Sequence, residues 1–85
     1  MKSFTYTITD SVGMHARPAS LLAKEIKNYK SGITISKDGK TIDAGKVMML
    51  MSLGIKCGEA IVVEVSGEDE EAAVKAMEEF FKANL

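Results

Sequence analysis

FTYTITDSVGMHARPASLLAKEIKN, residues 4 to 28, changes its period halfway along. Phe4, Tyr6 and Ile8 alternate with Thr5, Thr7 and Thr9, the repeat of a half-buried strand built from β-favouring side chains. From Ala16 the repeat becomes helical: Ala19, Leu22, Ala23 and Ile26 share one face, and Lys24, Glu25, Lys27 and Asn28 share the other. The opening unit is therefore a strand followed by a helix of about three turns. Where the two join stands GMHARPAS, residues 13 to 20, which holds the chain's only histidine and only proline.

Further elements follow toward the C-terminus. Ile33 and Ile35 alternate with Thr34 and Ser36, Asp38-Gly39 stands where a hairpin turn belongs, and Lys40-Thr41-Ile42-Asp43 supplies the returning strand. Gly45 and Gly54 bracket Val47 to Leu53 as a short helix, with Leu50 and Leu53 facing the sheet and Ser52 packed beneath the helix. Ile61, Val63 and Val65 mark another strand. SGEDEE places acidic side chains where a helix N-terminus favours them, and Ala73, Val74, Met77, Phe80 and Phe81 follow on a helical period. The order is βαββαβα. Alternation makes the two faces of each strand unlike, so the expected fold class is α+β: an open-faced sandwich with a four-stranded antiparallel sheet, three helices on one face and water on the other.

Composition narrows the possibilities. A chain of 85 residues that is 46% hydrophobic and 27% charged can build one core and not two, and no repeat or linker divides it, so residues 1–85 are expected to form a single domain. Its net charge of -1 comes from 11 basic and 12 acidic residues mixed along the chain, which gives no general field toward nucleic acid or an anionic membrane. The sheet also lacks an aromatic pair set in a basic surface, which argues against a nucleic-acid-binding sandwich. Cys57 has no cysteine to pair with, and MKSFTYTITD has no apolar run to act as a signal or membrane insert. A monomer in a reducing cytoplasm is the expectation. Cys57 reads as a small turn residue, and Glu68, Asp69, Glu70 and Glu71 lack calcium-loop spacing, so no metal site is expected.

The histidine falls where the loop meets the first helix, at a capping position, and Gly13 frees the loop to turn. Pro18 in the first helical turn loses no intrahelical bond, while the amides of Ala16 and Arg17 stay free. A helix N-terminus attracts phosphate and disfavours a charged imidazole beside it. A neutral imidazole is a competent nucleophile, and Arg17 brings a planar, multi-donor cation. Phosphoryl transfer asks a protein mainly for positioning and charge stabilisation, so these elements suffice without metal or cofactor. A capping or surface histidine beside a solvated arginine is the plainer alternative, and on spacing alone it is the commoner one.

GMHARPAS, MSLGI at 51 to 55 and the βαββαβα order resemble the HPr family, the histidine-containing phosphocarriers of the bacterial phosphoenolpyruvate-dependent sugar phosphotransferase system. The resemblance spans essentially the whole chain. It implies a carrier rather than an enzyme with its own turnover: enzyme I phosphorylates His15, on Nδ1 in the family, and enzyme IIA domains of sugar permeases take the group away. It assigns Arg17 to stabilising the phosphoryl group, and Ala16 and Pro18 to shaping the helix start. It nominates Val47, Met48 and Met51 as exposed partner contacts, with Lys24 and Lys27 adding charge that suits acidic partners. Flexible thioethers fit a surface that meets several partners, although core filling is the general role of any one methionine.

Three positions depart from the family pattern. Val12 stands where a serine, threonine or asparagine is common, which removes one side-chain hydrogen bond to the phosphoryl group. Lys46 replaces the serine that a dedicated kinase phosphorylates in many Gram-positive relatives, so that regulatory input is expected to be absent. Met49 replaces a frequent glycine, which either enlarges the apolar surface or alters the packing below it. An alternative within the same fold is a regulatory module that binds a transcription factor or metabolic enzyme, with little phosphotransfer flux. His15 together with Arg17, and the missing serine at 46, weigh against it.

Overall fold

A row of apolar side chains crosses the whole sheet and explains why these strands pair as they do. In the computed structural model, which describes residues 1–85, the elements run β1 Lys2–Thr7, α1 Ala16–Ile26, β2 Gly32–Lys37, β3 Lys40–Asp43, α2 Val47–Ser52, β4 Ala60–Ser66 and α3 Glu70–Asn84. The four strands are ordered β1-β4-β2-β3 and every pair is antiparallel. Phe4 faces Val63, Val63 faces Ile35, and Ile35 faces Ile42. One residue away, Thr5, Val62, Ser36 and Thr41 form the matching row on the open face. A slip of one residue would exchange the two rows and bury hydroxyls, so the pattern fixes the register.

The expected α+β open-faced sandwich is thus the observed fold. Ile33, Ile35, Ile61, Val63 and Val65 are buried beneath the helices. From α1 come Leu22 and Ala19, from α2 Leu50, and from α3 Ala73, Met77 and Phe81, all with no exposed surface. Phe81 is the largest of them and meets Phe4, Tyr6 and Phe80 edge-on, with ring centroids 5.6 to 6.0 Å apart. The hairpin turn uses Asp38 and Gly39 with φ of 50° and 83°, the two left-handed positions of a type I′ turn. β1 ends at Thr7, one residue short of Ile8, which nevertheless stays in the core and donates its amide to the Glu59 carbonyl at 3.0 Å.

The acidic run ahead of α3 does more than complement a helix end. Glu70 and Glu71 lie in the first turn as expected, and Asp69 occupies the cap position. The Asp69 carboxylate turns away from the helix to accept the amides of Lys30 and Ser31, at 2.8 and 2.9 Å, and the Ser31 hydroxyl at 2.5 Å. It therefore ties the α1–β2 connection to the start of α3. Donation by the Ser31 hydroxyl, then by the Lys30 amide, holds its carboxyl below the usual carboxylate range. A carboxyl lowered by folding stabilises the protein above its unfolded pKa, and that stabilisation is lost as pH falls through the folded value. Scanning calorimetry should accordingly find Asp69→Asn melting below the unaltered chain at neutral pH, with the gap closing as the medium is acidified past the carboxylate range. A gap that does not change with pH would assign the effect to shape and not to charge.

Candidate functional site

The loop that leaves β1 is pinned along its length before it delivers His15, beginning where Thr9 and Asp10 donate their amides to the Leu85 carbonyl. Asp10 accepts the Val12 amide with its side chain at 2.8 Å and the Gly13 amide with its carbonyl at 3.0 Å, closing a tight turn. Gly13 has φ of 80°, and a Cβ there would lie 2.5 Å from the Ile55 carbonyl oxygen and 2.9 Å from Lys56 Cα. The Met14 amide then donates to that same Ile55 carbonyl at 3.0 Å, and its side chain is buried. With Met14 pinned, the next residue emerges at the mouth of α1.

His15 is the N-cap of α1, with extended backbone at φ -123° and ψ -175°. Its carbonyl accepts the Ala19 amide at 3.1 Å, while its ring makes no capping hydrogen bond and is left half-buried at the surface. The amides of His15, Ala16 and Arg17 have no protein partner. Pro18, buried in the first turn, cannot supply a fourth. No acidic side chain occupies that turn to neutralise the positive helix end. Arg17 is exposed and forms no ion pair.

The other residues named from the sequence separate into two groups. Lys24, Lys27 and Val47 share with Arg17 an open groove beside α1, and neither lysine is ion-paired. Met48 and Met51 lie outside that groove on the surface of α2, 79% and 41% exposed. Met49 resolves its alternatives in favour of a larger apolar surface, being 45% exposed above the buried Leu50. Ser52 corrects an expectation: it is exposed and not packed beneath the helix, because its hydroxyl donates back to the Met49 carbonyl at 2.6 Å on the solvent side. Lys46 is the exposed N-cap residue of α2, and Val12 is exposed in the loop ahead of His15. Cys57 is exposed in the turn before β4, as its sequence context implies.

Sequence reading missed three residues near this site. Leu21 lines the groove beside Arg17 and is 39% exposed; the signal was an apolar side chain off the buried face of an otherwise polar-surfaced helix. Lys37 ends β2 with its ammonium 2.9 Å from the Glu59 carboxylate and 3.2 and 2.8 Å from the carbonyls of Leu53 and Gly54. Glu59 also accepts the Lys56 amide at 2.7 Å, and Lys37's hydrogen bond leads the causes that hold its carboxyl below the usual range. Nothing in spacing connects positions 37, 54 and 59. No three histidine, cysteine or acidic side chains gather where they could hold a metal, and no helix is long and apolar enough to cross a membrane.

Solved structures with this architecture include HPr of Thermoanaerobacter tengcongensis, 36% identical with a TM-score of 0.92 over 98% of this chain and 93% of that one. The phosphocarrier protein HPr of Bacillus anthracis is 34% identical with a TM-score of 0.87, covering 94% of this chain and 95% of its own. The Thermoanaerobacter protein has also been solved as a dimer, which this chain matches with a TM-score of 0.77. Sheet order, helix placement and a histidine at the mouth of α1 define the class of small histidine phosphocarriers. The family model described as "PTS HPr component phosphorylation site" matches residues 2–83, and the phosphocarrier protein HPr of Mycoplasma capricolum is 40% identical over 79 residues, 93% of this chain and 89% of that protein. The chain belongs to the HPr family of the phosphotransferase system.

Proposed function

We propose that the chain, as one domain over residues 1–85, accepts a phosphoryl group from phosphorylated enzyme I on His15 and passes it to enzyme IIA domains of sugar permeases. The observation that carries this reading is the mouth of α1. There an uncapped imidazole stands beside three unpartnered amides and an unpaired arginine. In the first step a ring nitrogen lone pair attacks phosphorus as the bond to the donor breaks. Arg17 and the helix-start amides neutralise the phosphoryl oxygens, and the reverse displacement delivers the group to the acceptor. The protein is regenerated unchanged only when the acceptor has taken the group, so it is a carrier and not an enzyme.

Partners meet Lys24, Lys27 and Val47 in the groove and Met48 and Met51 on α2, a surface with an apolar centre and unpaired cations at its side. The charges suit acidic partners and favour fast encounter. We place this cycle in the cytoplasm, with the chain acting as a monomer and meeting proteins, not nucleic acid or lipid. With lysine at 46, an ammonium occupies the position of the regulatory hydroxyl and cannot carry its phosphate.

The test mixes the protein with phosphoenolpyruvate and a general enzyme I and follows intact mass for a phosphoryl adduct that acid removes, as it removes phosphoramidates. Absence of that adduct sinks the proposal. Arg17→Lys keeps the charge but loses the planar fork, and rapid-quench transfer to an enzyme IIA should slow by roughly tenfold, about 1.4 kcal/mol in the barrier. Unchanged rates would show that the helix-start amides are sufficient.

A further inference from the structure

Lys37 lies on a strand end, and its side chain is only 12% exposed, so its ammonium is committed to the contacts it makes. Those contacts use all three of its donors: the carbonyls of Leu53 and Gly54, which follow α2, and the Glu59 carboxylate. Carbonyls left over at a helix C-terminus are satisfied well by a lysine. The carboxylate it pairs with also accepts the Lys56 amide. One ammonium–carboxylate pair therefore grips the chain on both sides of Ile55, at Gly54 and at Lys56. Ile55 is the residue whose carbonyl receives the Met14 amide and against which Gly13 is packed without room for a Cβ.

We propose that Lys37, acting with Glu59, is a positioning residue for phosphoryl transfer: it holds the segment that sets the histidine loop and α2 at a fixed distance from each other. This inference rests on the reading of His15 as the phosphoryl acceptor and of α2 as a docking surface. α2 has six residues, too few to hold its own position without tertiary contacts: Val47 packs against the core beside α1, Leu50 is buried in that core, and Leu53 with the Lys37 bonds fixes the C-terminal end. The histidine loop has no strand or helix of its own: its start is tied through Thr9 and Asp10 to the Leu85 carbonyl, and its end, next to His15, leans on Ile55. A partner that docks on α2 meets the imidazole in the correct place only if those two attachments share one frame. Loss of the clamp should leave the apolar docking face present and the imidazole misplaced after docking.

The experiment measures enzyme I turnover with this chain as acceptor, for Lys37→Met and for Glu59→Gln, the second kept because its side chain is more exposed and its amide oxygen can still accept from Lys56. Both variants should lower kcat by roughly ten- to a hundredfold, the scale of a small misplacement of reacting groups, with KM changed by no more than about twofold. Lys37→Arg should recover part of the loss, since it restores donors toward the carbonyls and the carboxylate. Amide exchange should rise at Met14 in both variants while the Val63 amide in the sheet stays protected. A kcat equal to that of the unaltered chain in a folded variant overturns the proposal, whatever happens to the melting temperature. If the unaltered chain takes no phosphoryl group, the underlying reading fails instead. The Met14 exchange then decides the clamp alone: faster exchange in the variants upholds it and unchanged exchange overturns it.

Discussion

His15→Ala is expected to abolish phosphoryl labelling by phosphoenolpyruvate and enzyme I while leaving a folded protein. The ring makes no capping hydrogen bond and projects from the mouth of α1, so its removal opens no cavity and orphans no donor. The cost to stability should stay within about 0.5 kcal/mol, as for surface substitutions generally. The cost to transfer is total, because no second imidazole exists in the chain. Intact-mass measurement and thermal melting on one sample separate the two effects. Persistent labelling would move the nucleophile to another side chain.

Gly13→Ala should damage both stability and transfer. Alanine at φ of 80° is strained, and its Cβ would collide with the Ile55 carbonyl oxygen and Lys56 Cα, backbone atoms that cannot swing aside. Strain and displacement together should cost roughly 3 kcal/mol. For a domain of this size that lowers Tm by roughly 12–24 °C. Moving the loop also lengthens the Met14 amide bond to Ile55 and shifts His15, so transfer at a temperature where the variant is folded should fall at least about tenfold. Gly39→Ala is the matched control: its φ of 83° is equally unfavourable, yet nothing lies within 4 Å of the added Cβ. It should cost about 1–2 kcal/mol and leave transfer alone. Equal behaviour of the two variants would show that the collision with Ile55 has no consequence.

The fold was legible in the sequence because its determinants are local. The alternation of Phe4, Tyr6 and Ile8, the helical spacing from Ala19 to Ile26, and the turn at Asp38-Gly39 each act over a few residues, and the observed elements follow them. His15 and Arg17 were visible for the same reason, since a proline in a first turn and a glycine two residues before the cap write a helix start into the sequence. What escaped depends on chain segments that meet only in three dimensions. Asp69 reads as helix-start charge, and only the packing of the α1–β2 connection beside α3 reveals its bonds to Lys30 and Ser31. Lys37 reads as a solvated strand end, and its burial depends on where α2 terminates. Ser52 was misplaced because a six-residue helix leaves less than two turns from which to infer a buried face, and a hydroxyl can bond its own backbone on the exposed side.

The unpartnered donors at the mouth of α1 are main-chain groups, which gives them an unusual relation to mutation. No point substitution other than proline deletes a peptide N–H, so drift in the surrounding side chains leaves that part of the seat intact as long as the helix begins in the same place. Descent can then alter the side chains around it freely, the exposed Val12 ahead of His15 among them, while the floor is inherited with the backbone. Divergence to about two residues in five shared with a relative, as with the Mycoplasma protein, need not disturb it. Variation among such chains should therefore tune the choice of partner and the rate of exchange long before it can erase a seat of main-chain donors suited to an anion.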